Sequence, residues 1–197
     1  MIQANVILRK PSDRRISHYL HYSNTKSKDI PTNMRIIGID PGTLTLGYGV
    51  IDEVSGEIKH VACGALTAPS TMPMPDRLYK IYGELRSVIK KYKPDEAAVE
   101  EPFVAKNARS AIAVGQAIGA ATIAVIESGI PLHHYTPTQV KQSVTSYGRS
   151  SKDQVSEMVC VILNLPAPPQ PADAADALAV AMCHVQEKHV AGLLSQG

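Results

Sequence analysis

Tryptophan is absent from the 197 residues, and phenylalanine occurs once, at Phe103. The core must therefore rest on aliphatic side chains, with Phe103 read most simply as filling. Cysteine is scarce as well. Cys63, Cys160 and Cys183 are odd in number and widely spaced, and none belongs to a C-x-x-C pair. This excludes a disulfide framework and a cysteine-rich zinc module, and it suits buried free thiols in a reducing cytoplasm. Cys183-His184 alone offers too few ligands for zinc. No apolar run reads as long enough to span a bilayer. Val6-Ile7-Leu8 is too short for a secretory signal. A cytoplasmic chain that needs no membrane is expected.

Net charge is also small, +2 at pH 7. It is unevenly spread. Residues 1–33 carry Arg9, Lys10, Arg14, Arg15, Lys26 and Lys28 against Asp13 and Asp29, a balance of +4, so the remainder carries −2. The body is thus not a generally basic nucleic-acid binder, and contact with phosphates would need local basic clusters. Residues 1–33 show no periodicity and read as a disordered extension ending in the linker Asp29–Asn33, or as the product of a start upstream of Met34. A basic arm attracted to DNA is the alternative.

What is present begins at Met34. Arg35–Asp40 is a short apolar run, read as a buried central strand. Turns at Pro41-Gly42-Thr43 and Ser55-Gly56 return the chain as strands over Gly47–Asp52 and Ile58–Thr67, an antiparallel meander. Leu78, Ile81, Leu85, Val88, Ile89 and Tyr92 recur at helical spacing, and Pro94 stops that helix. Ala97–Glu100 follows a crossover helix and is expected to pair parallel to the first strand. A long helix over Asn107–Ser128 and a fifth strand over Ile130–Tyr135 follow. A helix capped by Thr136 and another opened by the capping box Ser151–Gln154 come next. Pro166–Pro171 links to a last helix from Ala172 to about Lys188. The pattern predicts an α/β domain over 34–189, a mixed five-stranded sheet with helices on both faces, and a tail over 190–197.

Four carboxylates stand out. Asp40 and Glu100 end strands, and Asp173 and Asp176 share one face of the last helix. Each has a plainer reading: Asp40 as turn initiator, Glu100 as a surface acid with Glu101 as competitor, and the helical pair as N-terminal caps. Strand alternation favours Glu100 over Glu101. Ala174, Leu178, Ala181, Met182 and Val185 form the stripe expected to seat the helix on the sheet. Gathered together, the four acids make a pocket that calls for divalent cations or shifted pKa values. The chemistry this suits is phosphodiester hydrolysis. Adjacent His133 and His134 point to opposite faces of a strand and read as structural.

Gly38–Gly42, Gly47–Val50, Glu100–Asn107, Gln139–Gln142 and Ala172–Ala179, in that order, closely resemble the RuvC family of Holliday-junction resolvases. The likeness runs from Met34 to about His184. It implies a ribonuclease H-like fold and a homodimeric endonuclease that nicks two strands of a four-way DNA junction. It also implies cooperation with the RuvA–RuvB branch-migration complex. By the same resemblance, Asp40, Glu100, Asp173 and Asp176 are the catalytic acids. They would hold two Mg²⁺ per subunit, with Mn²⁺ able to substitute, and Asp40 would bridge the pair. Lys141 and Lys152 match basic residues near the scissile phosphate. Phe103 becomes a wedge that stacks on a base, and Lys106, Arg109 and Arg149 become backbone-phosphate contacts. A C2 dimer would supply two symmetric cuts, and the small stripe Ala111, Gly115 and Gly119 is the candidate contact.

Rival readings remain at this point. Gly38–Thr43 also resembles the first phosphate loop of actin-like ATPases, but no second glycine-rich phosphate loop follows. A non-catalytic junction-binding module would show an incomplete acid set. Plain ribonuclease H activity shares the chemistry without the Phe103 segment.

Overall fold

The computed structural model describes residues 33–101 and 108–194. The expected extension lies outside these apart from Asn33, and so do Phe103 and Lys106. Strands β1 (Asn33–Asp40), β2 (Thr45–Val54) and β3 (Glu57–Thr67) form the antiparallel meander. Its second turn places Ser55 and Gly56 at φ 54° and 87°, the doubly left-handed geometry that matches strand twist in a two-residue hairpin. Strand β4 (Glu96–Glu100) pairs parallel to β1, and β5 (Leu132–Tyr135) parallel to β4. The sheet order is β3-β2-β1-β4-β5. β1 is central, and Ile36, Ile37 and Ile39 are buried on its two faces.

Helices α1 (Met74–Tyr92) and α2 (Ala108–Glu127) cover one face. There Ile81, Leu85, Ala121 and Val125 pack on Ile37, Ile39 and Val99. Lys93 closes α1 at φ 50° with its N–H on the Ile89 carbonyl, and Pro94 forbids another turn. Arg35 locks this end. Its guanidinium donates to both carboxylate oxygens of cross-strand Asp52 at 2.7 and 2.9 Å and to the Tyr92 carbonyl at 2.9 Å. By length and composition α2 is apolar enough to cross a membrane, contrary to the sequence expectation. Interspersed Gly and Gln hide that run, and in the fold Ala117, Ala121, Ala124 and Val125 are buried.

Helices α3 (Pro137–Thr145), α4 (Lys152–Ile162) and α5 (Ala172–Leu194) cover the other face. Here α5 lies between the sheet and the α3–α4 pair. It is therefore buried on every side from Ala177 to Val185, not along one stripe as the sequence suggests. It also runs past Lys188 to Leu194, so residues 190–194, expected as tail, are helical.

Glycine seats α5. Gly38 and Gly49 face each other across the β1–β2 ladder. A Cβ at Gly38 would stand 2.1 Å from the Ala177 carbonyl oxygen, and one at Gly49 would stand 2.6 Å from the Leu178 nitrogen. At Gly47 it would meet the Asp173 carbonyl oxygen at 2.0 Å. The helix backbone thus rests directly on the strand backbone, which fixes the height of its first turn above the strand ends.

Candidate active site

The parallel pairing of β1 with β4 sets Ile39 opposite Val99, so the next residues, Asp40 and Glu100, end side by side. Alternation turns both toward the face that carries α5. Gly47, the ladder partner of Asp40, is the residue on which Asp173 rests. Asp176 stands one turn further along α5. A small cleft results, lined by Asp40, Glu100 and Asp176 with Pro137, Val140, Lys141, Lys152 and Val155. Asp173 is half-buried at its rim and is close enough for its charge to act on Asp40. The structure therefore gathers all four acids from three separate stretches of chain.

Lys152 begins α4 and donates to Asp176 Oδ2 at 2.6 Å. Lys141 reaches the same cleft from α3. The α3–α4 connection that spaces these lysines is clipped internally. Thr145 Oγ1 lies 2.7 Å from Ser150 Oγ and donates to the Lys141 carbonyl at 2.7 Å. Sequence reasoning missed this clip and the apolar wall of Val140 and Val155, although both valines sit at helical core spacing. Arg149 is exposed on that connection and Arg109 on the first turn of α2, and neither lines the cleft. Glu101 is half-exposed beside His134 at 3.2 Å, outside the cleft.

Electrostatics follow from the burial. Burial pushes the Asp40 carboxyl up to about 7, and the Glu100 and Asp176 charges push the same way. Lys152 partly opposes them, and Asp173 adds a smaller upward push. Glu100 is raised by burial and by Asp176, with Lys152 and Lys141 opposing. Two crowded carboxyls held above their ordinary range, with oxygens as the donors, fit hard divalent cations that would offset the repulsion. A larger open groove lies elsewhere, lined by Tyr79, Tyr82, Arg86, Lys90 and Glu127. It is remote from these acids.

This sheet, with acids at adjacent parallel strand ends and on the helix covering them, defines a nuclease of the ribonuclease H-like class. The family model for "Crossover junction endodeoxyribonuclease RuvC" matches residues 36–184, and the chain belongs to that family. A protein of this name from Chloroflexus aggregans is 51% identical over 151 residues, covering 77% of this chain and 92% of the relative. One from Dehalococcoides mccartyi is 48% identical over 164 residues, covering 83% and 98%. Among solved structures, Thermus thermophilus RuvC in complex with a Holliday junction substrate superposes with a TM-score of 0.76 at 34% identity. That match covers 81% of this chain and 97% of the other.

Proposed function

We propose that this chain resolves four-way DNA junctions by paired, symmetric nicks, acting as a homodimer in the cytoplasm alongside a RuvA–RuvB complex. The observation that carries this is the meeting of Asp40, Glu100 and Asp176 with Lys141 and Lys152 in one cleft, in a chain of this family. The catalytic unit is taken as residues 34–189. Asp40, Glu100, Asp173 and Asp176 would hold two Mg²⁺ ions, for which Mn²⁺ can substitute. Such ions supply charge stabilisation at the phosphate and lower the pKa of the attacking water. The chain's own part is positioning. The strand ends fix Asp40 and Glu100, and the glycine-seated α5 fixes Asp173 and Asp176 above them. Water adds to phosphorus opposite the 3′ oxygen, the P–O3′ bond breaks, and a 5′-phosphate and 3′-hydroxyl remain. Lys141 and Lys152 offset charge that develops on the phosphate. Phe103, Lys106, Arg109 and Arg149 are proposed to hold the DNA outside the cleft. The test offers a synthetic four-way junction and a matched linear duplex, with Mg²⁺ or chelator, and maps the cuts. Symmetric nicks confined to the junction and dependent on the ion are expected; equal cutting of the duplex overturns the assignment.

Lys152 has a role that can be separated from junction affinity. Lys152→Met should lower the single-turnover nicking rate by about 10²-fold, the usual scale for removing one preorganised electrostatic contact. Junction affinity should move only a few-fold, because one phosphate contact among many is lost. An unchanged rate would remove Lys152 from the mechanism.

The dimer proposal rests on α2. Among the described residues a Cβ at Gly115 or Gly119 would meet nothing within 4 Å, and Ile112, Ile123 and Ile126 are exposed on the same helix. This supports Gly115 and Gly119 as the place where a second copy would approach. Gly115→Leu should weaken dimerisation, and light scattering at micromolar protein should show a monomer. An unchanged dimer mass would move the interface elsewhere.

A further inference from the structure

A second constellation stands at the opposite end of β4. Glu96 opens the strand that Glu100 closes, about 13 Å away at 3.3 Å per residue. His133 projects from β5 to the same side, and its partner in the ladder is Ala98. His184 comes down from α5 and is wholly buried. Its Nε2 lies 2.7 Å from Glu96 Oε2, and His133 Nε2 lies 3.2 Å from the same oxygen. The three ligand atoms all lie within 4.8 Å of one another.

We propose that Glu96, His133 and His184 form a zinc-class cation site separate from the four-carboxylate centre. A tetrahedral ion with bonds of about 2.1 Å holds its donors about 3.4 Å apart. The observed separations reach that spacing with side-chain shifts of about an ångström. The surroundings suit the ligand set. Tyr135 Oη lies 2.7 Å from His184 Nδ1. In this structure Nε2–H donates to the Glu96 carboxylate and Tyr135 Oη–H donates to Nδ1. An ion would replace the Nε2 proton, and His184 would then carry its proton on Nδ1 and donate it to Tyr135, the outer-shell arrangement that orients a metal-bound imidazole. Lys188 Nζ holds Glu96 Oε1 at 2.5 Å and so leaves Oε2 for the ion. His133 is 41% exposed, which opens an entry path and leaves a fourth position to water. Two imidazoles and one carboxylate favour a borderline metal such as Zn²⁺, whereas the all-oxygen centre favours Mg²⁺. An ion here would tie α5 to β4 and β5 and stabilise the folded state by mass action.

The test titrates Co²⁺, the spectroscopic stand-in for Zn²⁺, into the full chain with excess Mg²⁺ present to fill the carboxylate centre. One equivalent should give the intense visible absorption of a four-coordinate nitrogen–oxygen site, and Zn²⁺ should then bleach it. His133→Ala should weaken binding by about 100-fold or more, since losing even an outer-shell partner costs 10–100-fold. Its nicking in Mg²⁺ should be unchanged. Glu96→Gln provides a second variant with the same expected loss. Asp40→Asn should keep the absorption. No absorption, an unchanged titration in a folded His133→Ala or Glu96→Gln protein, or a band lost in Asp40→Asn overturns the proposal.

Discussion

Asp40→Asn should retain junction binding within a few-fold and lose nicking by about 10³-fold or more. On the proposed two-ion reading, removing one anionic ligand would forfeit several kcal/mol of transition-state stabilisation, and each 1.36 kcal/mol is a factor of ten. The same substitution should stabilise the protein in chelator. In the folded chain Asp40 titrates near 7 against an ordinary 3.8. Between about pH 4 and pH 7 the folded state therefore binds more protons at this carboxyl than the unfolded chain does, and stability falls as pH rises through that window. Above it the penalty is fully present, on the order of 4 kcal/mol. Asparagine cannot ionise and escapes it. Thermal melts of the two proteins in chelator should coincide near pH 4, and the variant should lead by about 10 °C at pH 8. His184, held down to about 4 by burial, gives both proteins the same opposing slope, so it cancels in the difference. Mg²⁺ should narrow the gap by stabilising the wild type. Wild-type nicking, or a gap that does not change with pH, would show that Asp40 is not the buried acid of the centre.

Gly38→Ala should cost about 3 kcal/mol or more, at or above the usual range for overpacking a core. The added carbon meets the Ala177 carbonyl at 2.1 Å and the Ala181 nitrogen at 2.5 Å. Both are helix backbone, so no rotamer change relieves the contact and α5 must lift as a body. A fall in Tm of about 6–12 °C follows for a domain of this size. Nicking should fall further than stability alone explains, because Asp173 and Asp176 rise with the helix. Gly83→Ala is the control. It lies in α1 with no described residue within 4 Å of the added carbon, and it should be neutral or stabilising by up to about 1 kcal/mol. A Gly38→Ala melt within about 2 °C of wild type would mean that α5 is not seated on the glycines.

Much of the architecture was legible because it is local. The meander follows from two short turns, the parallel pairing of β4 from the helix that precedes it, and the start of α4 from Ser151 and Gln154. The convergence of the acids followed from where strands end and which face a helix shares. What stayed hidden is long-range. A helix buried on all sides has no single apolar stripe, so the cover that α3 and α4 place over α5 left no periodic signal. Gly38, Gly47 and Gly49 read as motif residues, and their role as a seat needs the partner backbone to be visible. Glu96 and His184 are 88 residues apart. Nothing in either segment announces the other, and His133 beside His134 disclosed only that the two diverge.

Three helices begin at the carboxylate cleft: α3 with Pro137, α4 with Lys152 and α5 with Asp173 in its first turn. Each contributes roughly half a positive charge from the aligned peptide dipoles that end in its first turn. These poles belong to the backbone, so neither chelation nor side-chain substitution removes them. They soften the repulsion among the acids before any ion arrives and leave a residual pull on phosphate afterwards. On the proposed reading, a variant stripped of a carboxylate would still present these backbone poles to a phosphate, so cutting should be lost before holding is.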